Sequence, residues 1–485
     1  LPNFNPNYAN TFEGIRKFVL KIDPALIGVS LMSVEYHNAR SLTMYLKNNF
    51  KSIPVIWGGI HPTICPERCL DYADYVCIGE GERTIVDLAK AVNSNENLTI
   101  INNLCYRENG QIKKNRLYPL IENLDEIAVY DHVPVNSFVQ EKGGQAVPID
   151  KKIFKKHARY RGTTYNIMSS RGCPFSCTYC CNNFISSLYQ VKKVRRRSVE
   201  NVISELKKAI NDNPEIEHIN FQDDCFLACS DEYLKEFCRV YKEEIGKSFV
   251  VRAIPIYITR NKIGYLKDAG LTWIIMGLQS GSDRVCEEIY KRKSVKADFL
   301  KAAEIVNDFN IAAMYDVILD NPFENEEDRL ETIQTLTETP KPFYSQSYSL
   351  SLYLGTELHE RAKKECPEEI EDFLKKDYLI YQKNTINSMI RLSVFLSEKS
   401  MNKIVYLYKQ DQKGIRFKVA LLIANALSST IFEPITYFRV IKLSKGGSYL
   451  RTLAVLPNYF KEGLMRYFKQ FKANKKEKKF HSAQA

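Results

Sequence analysis

Ser169-Ser170-Arg171-Gly172-Cys173-Pro174-Phe175-Ser176-Cys177-Thr178-Tyr179-Cys180 carries three cysteines spaced C-x3-C-x2-C, with an aromatic residue just before the last. Three thiolates on one short loop can hold three irons of a four-iron, four-sulfur cluster and leave the fourth iron open. An open iron can bind a small molecule instead of only relaying electrons. A structural zinc loop is the competing chemistry, but a closed zinc site wants four ligands, usually as two separated pairs. Cys181 follows directly, yet adjacent residues seldom point at one metal together, so it reads as a spare thiol. The metal set is Cys173, Cys177 and Cys180.

This spacing resembles the signature of the radical S-adenosylmethionine superfamily. The resemblance implies a [4Fe-4S] cluster whose open iron chelates the methionine moiety of S-adenosylmethionine, and reductive cleavage to a 5'-deoxyadenosyl radical. It also implies a (β/α)6 partial barrel. The sequence offers the required alternation, with strands expected at Thr164–Ser169, His218–Gln222, Phe249–Ile254, Trp273–Leu278, Ala312–Leu319 and Ser345–Leu352. Amphipathic helices such as Val199–Asn211 and Asp231–Ile245 lie between them.

Ligands of such barrels collect at the carboxyl ends of the strands. Tyr179, beside the last cysteine, is among the cofactor contacts the resemblance implies. Strand two ends in Gln222-Asp223-Asp224, where relatives contact the methionyl ammonium; a cation needs carboxylate or amide acceptors. Capping of the next helix is the bland alternative for that acidic pair. Arg252 on strand three could pair with the cofactor carboxylate or with Asp223. Gly277-Leu278-Gln279-Ser280-Gly281-Ser282 resembles the family's Gly-x-Glu-Ser-Gly-Ser turn with Gln279 in place of Glu, and an amide can still bond ribose hydroxyls. Ser280 is a further cofactor contact the resemblance implies. Asn321-Pro322-Phe323-Glu324 is close to a Gly-x-Pro-Gly-Glu-Thr turn in which Asp320 and Phe323 replace the two glycines.

Ahead of the cysteines, residues 11–93 alternate as helix and strand. Phe12–Lys21 carries a helical stripe, and Ala25–Leu31 is a short apolar run of the kind found in buried parallel strands. A helix over about 38–50 precedes strand Ile53–Trp57, the turn Gly58-Gly59-Ile60-His61-Pro62, strand Tyr75–Ile78 and Gly79-Glu80-Gly81-Glu82. This β-α-β pattern describes a doubly wound, partial Rossmann-like (flavodoxin-like) sheet that binds ligand beyond its strand ends. Its turns resemble those of the cobalamin-binding domain found in one large radical S-adenosylmethionine subfamily. The resemblance places Ser30, Leu31, Gly58, Gly59, His61, Gly79, Glu80, Gly81 and Glu82 along the cobalamin pocket. A complete domain of that family has five strands and three are placed here, so the first two strands, with the loop that supplies an axial histidine in some relatives, are expected to precede Leu1. No cobalt ligand is named.

Composition bounds the rest. At 485 residues, 45% apolar and 26% charged, the chain is globular with two or three domains. Their expected limits are 1–120, a linker at 121–161, the barrel at 162–355 and a mainly helical basic region at 356–485. Thirteen cysteines without a secretory signal argue for reduced thiols in a cytoplasmic compartment. Cys65, Cys69, Cys77, Cys105, Cys225, Cys229, Cys238, Cys286 and Cys366 are too scattered for a second cluster. From Glu371 onward there are 22 Lys and Arg against 8 Asp and Glu, and before it 47 against 49. The positive charge therefore belongs to the C-terminal region. Leu456, Tyr459, Phe460, Leu464, Tyr467, Phe468 and Phe471 recur there at helical spacing among Lys461, Arg466, Lys469 and Lys472. Such a helix either covers the barrel or lies on an anionic membrane surface as a peripheral contact. No apolar run approaches the roughly 18–20 residues of a membrane span; the best, Val419–Leu427, contains Asn425. A nucleic-acid role lacks any recognised module.

The resemblance implies an enzyme with three cofactors, [4Fe-4S], S-adenosylmethionine and cobalamin, that methylates an unactivated carbon of a small-molecule, lipid or peptide substrate. It also implies an electron donor such as flavodoxin or ferredoxin. Ring formation or rearrangement without methyl transfer, a tRNA-modifying methylthiotransferase, and a non-catalytic iron–sulfur or corrinoid carrier are the alternatives.

Overall fold

The structure, a computed structural model, describes residues 10–129, 136–141, 143–158, 162–370 and 381–446. The first sheet holds three parallel strands, Ile27–Ser30, Val55–Gly58 and Tyr75–Cys77. Val55-Ile56-Trp57 is apolar at every position because both faces are covered. Val55 and Trp57 pack with Tyr36 and Ala39, while Ile56 and Cys77 pack with Leu88 and Ala91. The helices responsible are Tyr36–Asn49 and Glu82–Asn93.

Two further strands, Leu104–Glu108 and Gln111–Lys114, extend this sheet antiparallel beyond the third strand. The sequence reading did not place them. The signal was Asn109-Gly110, whose φ values of 50° and 77° give the left-handed pair that a two-residue hairpin turn needs. The hairpin covers one side of the sheet, and Ile27–Ser30 is the opposite edge among the described residues.

The second sheet has six parallel strands in chain order: Thr164–Ile167, His218–Phe221, Ser248–Ala253, Leu271–Gln279, Ala312–Leu319 and Tyr344–Ser349. Each expected barrel strand is present, with ends shifted by a few residues. Ser198, Ser230, Thr259 and Asn325 accept backbone N–H bonds at the starts of the intervening helices, as capping residues should. Side chains alternate along the strands. Ile219, Phe221, Phe249, Val251, Ile274 and Met276 are buried in the core, whereas Asn220, Arg252, Gly277 and Asp316 stay half-buried on the other face. That second face is the concave lumen, polar enough to receive a ligand.

Helices Thr385–Ser393 and Glu398–Gln410 follow, and then a helix that runs from Ile415 to Ser444 with one wider turn at Ser428–Phe432. Its last part packs on the second sheet: Tyr437 lies 5.3 Å from Tyr344 between ring centroids, and Lys445 Nζ lies 3.0 Å from His218 Nε2. Here the sequence expectation needs correcting. The short run around Val419–Leu427 belongs to a 30-residue helix that is, by length and composition, long and apolar enough to cross a membrane. The polar residues that hid it in the sequence turn inward, where Asn425 accepts from Arg391 at 2.8 Å and Ser428 is buried. The aromatic and basic stretch from Leu456 to Lys479 lies outside the described residues.

Of the two residues that replace family glycines, Asp320 joins this helical region to the barrel. Asp320, at φ 57°, accepts from Ser349 Oγ (2.7 Å), the Gln382 N–H (2.9 Å) and Asn387 Nδ2 (2.8 Å). Phe323 carries the Arg361 guanidinium 4.7 Å above its ring.

Candidate functional site

The cysteine loop leaves the carboxyl end of the first barrel strand through a short antiparallel ribbon, Ser170–Arg171 against Arg195–Arg196. Gly172 follows at φ 95°, where a Cβ would stand 2.5 Å from the Lys193 carbonyl oxygen, so only glycine fits. Cys173, Cys177, Tyr179 and Cys180 then gather in one apolar pocket with Phe175, Cys225 and Ile254. Among the described residues no three Cys, His, Asp or Glu side chains are grouped to hold a single ion. A cluster asks for less convergence, because each of its irons takes one thiolate.

Burial pushes the Cys173 thiol up to about 11 and raises Cys177 as well. Two features oppose this and favour the thiolates that a cluster needs. The Arg292 guanidinium lowers Cys177, and Cys180 stands at the N-terminus of the Cys181–Tyr189 helix. Cys181 is hydrogen-bonded to Cys180, and this contact, ahead of burial, holds the Cys180 thiol well above its ordinary value.

Arg292 was not singled out in the sequence. It follows a wide turn, Val285–Ile289, and is buried behind the loop. Its Nη2 donates to the Gly277 carbonyl at 2.8 Å and its Nη1 to the Tyr179 hydroxyl at 3.4 Å, while Nε has no partner. Tyr179 in turn packs edge-on against Tyr290, centroids 4.9 Å apart.

The acidic pair after strand two divides. Asp223 is fully buried and accepts from the Ser169 N–H (3.1 Å), the Ser169 hydroxyl (2.7 Å) and the Ser170 hydroxyl. Its carboxylate is committed to the entry of the cysteine loop. Asp224 instead opens to the mouth beside Cys173 and Cys180, its carboxyl raised by the surrounding protein and steadied by Asn182. Gln222 donates to Asn166 Oδ1 at 3.1 Å across the lumen wall. Arg252 is held by the Phe221 carbonyl (3.1 Å) and Asn220 Oδ1 (3.4 Å), not by Asp223.

The turn after strand four divides similarly. Gln279, at φ 69°, lines a cavity of about 200 Å³ together with Tyr179, Asp316, Ile318, Tyr348 and Ser351. Ser280 turns away and donates to Glu324 Oε1 at 2.9 Å, inside the protein. Asp316, which the sequence reading left without a role, contributes an Oδ1 with no hydrogen-bond partner, and burial pushes its carboxyl up to about 7.

The turns of the first sheet meet the flanks of the cysteine loop. Gly59, at φ 98°, lies against Leu31: a Cβ there would stand 2.8 Å from the Leu31 carbonyl oxygen. Leu31 is buried and Ser30 exposed, with Met32 and Val34 exposed beyond them. His61 is buried, its Nδ1 3.0 Å from Ser33 Oγ and its Nε2 unpartnered; burial pulls its pKa down to about 4, so the ring is neutral. Glu80 and Glu82 point across to the ribbon, where they pair with Arg171 and Arg195. Ile64 and Phe184 meet over Gly355 on the other side of the mouth. Burial raises the Cys65, Cys77 and Cys105 thiols to about 11.

Two family models match this chain: the B12 binding domain over residues 3–89 and the Radical SAM superfamily over residues 167–336. The chain belongs to the cobalamin-binding radical S-adenosylmethionine family. An uncharacterized methyltransferase of Pyrococcus horikoshii, PH0819, is 29% identical over 357 residues, 73% of this chain and 72% of that protein. An anaerobic magnesium-protoporphyrin IX monomethyl ester cyclase of Synechocystis is 23% identical, and the match spans 68% of this chain but 61% of the cyclase. The cytidylyl-2-hydroxyethylphosphonate methyltransferase of Streptomyces wedmorensis is 23% identical, over 59% of this chain and 55% of its own length. Among solved structures, the cobalamin-dependent radical enzyme OxsB, with aqua-cobalamin and S-adenosylmethionine bound, superposes with a TM-score of 0.61 at 17% identity, covering 94% of this chain and 69% of OxsB. The methyltransferase TsrM of Kitasatospora setae, with cobalamin and a [4Fe-4S] cluster bound, gives 0.58 at 15%, covering 74% and 70%. These two likenesses establish the shared fold. Members of this radical family use a [4Fe-4S] cluster, S-adenosylmethionine and cobalamin, and these are the cofactors of this enzyme.

Proposed function

We propose that the enzyme methylates an unactivated carbon of its substrate. When bound, the cluster with S-adenosylmethionine supplies the hydrogen-abstracting radical, and cobalamin supplies the methyl group. The observation that carries this reading is that the Gly79-Glu80 turn of the first sheet is bonded to both flanks of the cysteine loop, through Arg171 and Tyr189. Relatives named as methyltransferases support it.

Cys173, Cys177 and Cys180 would hold the cluster, with Arg292 and the helix N-terminus at Cys180 offsetting the charge of the thiolates. Asp224, exposed at the mouth where Asp223 is committed, would accept the methionyl ammonium. Arg252 would face the opposite carboxylate. Gln279 and Tyr179 line the cavity where the nucleoside fits. Asp316 would be a hydrogen-bond acceptor for a hydroxyl or amine of substrate or cofactor, since its free oxygen has no protein donor. Exposed Met32 and Val34 offer a corrin edge apolar surface beside the Gly58-Gly59 turn, while Gly59 and Gly79 are spent on close contact with Leu31 and Tyr189.

Anaerobic reconstitution with iron, sulfide and hydroxocobalamin tests the reading. Reduction in the presence of S-adenosylmethionine must yield deoxyadenosine, and the protein must retain cobalamin. A product heavier by one methyl group supports methyl transfer. Loss of hydrogen without added mass supports ring formation, which the cyclase relatives keep in view.

We also propose that the enzyme touches an anionic lipid surface through the Ile415–Ser444 helix. Val419, Leu422, Ile423, Leu427, Ile431 and Ile435 are exposed along one face. Lys413, Arg416 and Lys418 precede this face and Arg439 follows it. Cations bracketing an apolar stripe are the pattern of an interfacial helix.

A further inference from the structure

Glu80 has every polar atom hydrogen-bonded, most of them at the seam between the two sheets. Its Oε1 accepts from Arg195 Nη2 at 2.7 Å and from Arg171 Nη1 at 3.0 Å. Its Oε2 accepts from Arg195 Nη1 at 3.1 Å and from the Ile121 N–H at 3.2 Å. Its backbone N–H donates to the Tyr189 hydroxyl at 3.0 Å, and its carbonyl accepts from Asn103 Nδ2 at 2.7 Å. The two arginines are Cα partners on adjacent strands of the ribbon, so their side chains leave on one side and reach one carboxylate. Arg171 also donates to Glu82 at 2.6 Å, and Cys173 follows it by two residues.

Burial separates this network from ordinary surface pairs. The Arg195 and Glu80 side chains are 7% and 17% exposed, against 50% and 51% for Lys114 and Glu67 nearby. A desolvated, forked pair holds its geometry where an exposed one is screened and loose. Among the described residues the buried apolar clusters stop at the seam, with Leu188 packing across it. The polar network therefore does the orienting that a shared core would do elsewhere. Gly79 belongs to it too: at φ 82°, a Cβ would fall 1.9 Å from the Tyr189 hydroxyl.

We propose that Glu80 is a positioning residue that fixes the cobalamin half against the cluster loop and so sets the separation of the two cofactors. This rests on the reading that cobalamin occupies the turns of the first sheet. Without the carboxylate, buried Arg195 loses its counter-charge and must turn toward water, carrying the ribbon and the cysteine loop with it.

Glu80→Gln, made in the whole chain, tests this through two measurements. The first needs no cofactor. Amide hydrogen exchange at 168–172 and 194–197 is expected to rise about tenfold, while 248–253 and 271–279 keep their protection; an unchanged ribbon overturns the proposal. The second uses protein loaded with iron, sulfide and aquacobalamin, then reduced. Both cofactors should remain at wild-type stoichiometry, while the dipolar coupling between the paramagnetic cluster and paramagnetic cobalamin weakens and broadens. Unchanged coupling also overturns it. If wild type takes up a cluster but no cobalamin, the functional reading fails and hydrogen exchange still decides the latch. Arg171→Lys keeps the charge and loses the fork, and it should give the same changes in milder form if Glu80→Gln fails to fold.

Discussion

Asp223 and Ser169 are 54 residues apart in sequence, and Asp223 accepts hydrogen bonds from both the N–H (3.1 Å) and the hydroxyl (2.7 Å) of Ser169. The carboxylate thus anchors the strand that delivers the cysteines, and its neighbour Asp224 is left facing the mouth. Asp223→Asn replaces an acceptor by a donor among buried donors. It should cost about 2–4 kcal/mol of stability, read by denaturant unfolding. Asp224→Asn should leave stability within about 0.5 kcal/mol and instead weaken S-adenosylmethionine binding. Equal destabilisation by both would mean that the pair acts as one structural unit.

The thiols should separate by iron content. Cys177→Ala is expected to lose the cluster absorption and most of the iron after reconstitution, because a cluster with two protein ligands is exposed to solvent and exchange. Cys181→Ala should retain both. A cluster that survives Cys177→Ala but not Cys181→Ala would move the third ligand to Cys181.

Acid should loosen the first domain through His61. Its folded pKa near 4 lies below the ordinary 6.5, so the unfolded chain binds a proton that the folded one refuses. Stability from this group is full above the unfolded value and falls as pH drops from 6.5 toward 4. Between neutral pH and pH 5 the loss is about 2 kcal/mol. His61→Gln should flatten that part of the stability–pH curve, measured by urea unfolding at several pH values; an unchanged slope would assign the acid sensitivity to other groups.

Asp320 should hold the helical region in place. Asp320→Ala removes acceptors from Ser349, the Gln382 N–H and Asn387. Leaving these donors unpaired should cost about 1–3 kcal/mol. Hydrogen exchange should rise first in the Thr385–Ser393 helix, with the barrel strands following only at higher denaturant.

Lipid contact has a direct assay. The whole chain should sediment with vesicles containing anionic phosphatidylglycerol and much less with neutral phosphatidylcholine. Leu422→Asp, on an exposed position, should keep the unfolding midpoint and abolish the sedimentation. Sedimentation unaffected by Leu422→Asp would exclude this face, and a concentration-dependent dimer that Leu422→Asp dissolves would give it to a second copy of the chain.

Much of the architecture was legible in the residues. Apolar runs and alternation marked the six barrel strands, and the cysteine spacing marked the loop. Those signals are local, since one thiol pattern or one strand repeat is complete within a few residues. The antiparallel hairpin was legible too, through Asn109-Gly110, but its signal is short beside the helices around it. The Ile415–Ser444 helix was obscured because hydropathy averages over all sides of a helix, and only packing shows that Asn425 and Ser428 face inward.

By itself, then, the sequence determined the chemistry at hand: three thiols on one loop, strand ends rich in amides and carboxylates, and glycine turns after the strands of the first sheet. Tertiary structure decided which of those residues are available. Asp223 and Ser280 are spent on neighbouring protein groups, Asp224, Gln279 and Asp316 face the mouth, and Glu80 bridges two domains. Availability depends on partners brought from 50 or more residues away, such as Ser169 for Asp223 and Arg171 for Glu80. A residue's type fixes what it can bond, but only the fold fixes whether another residue has already taken the bond.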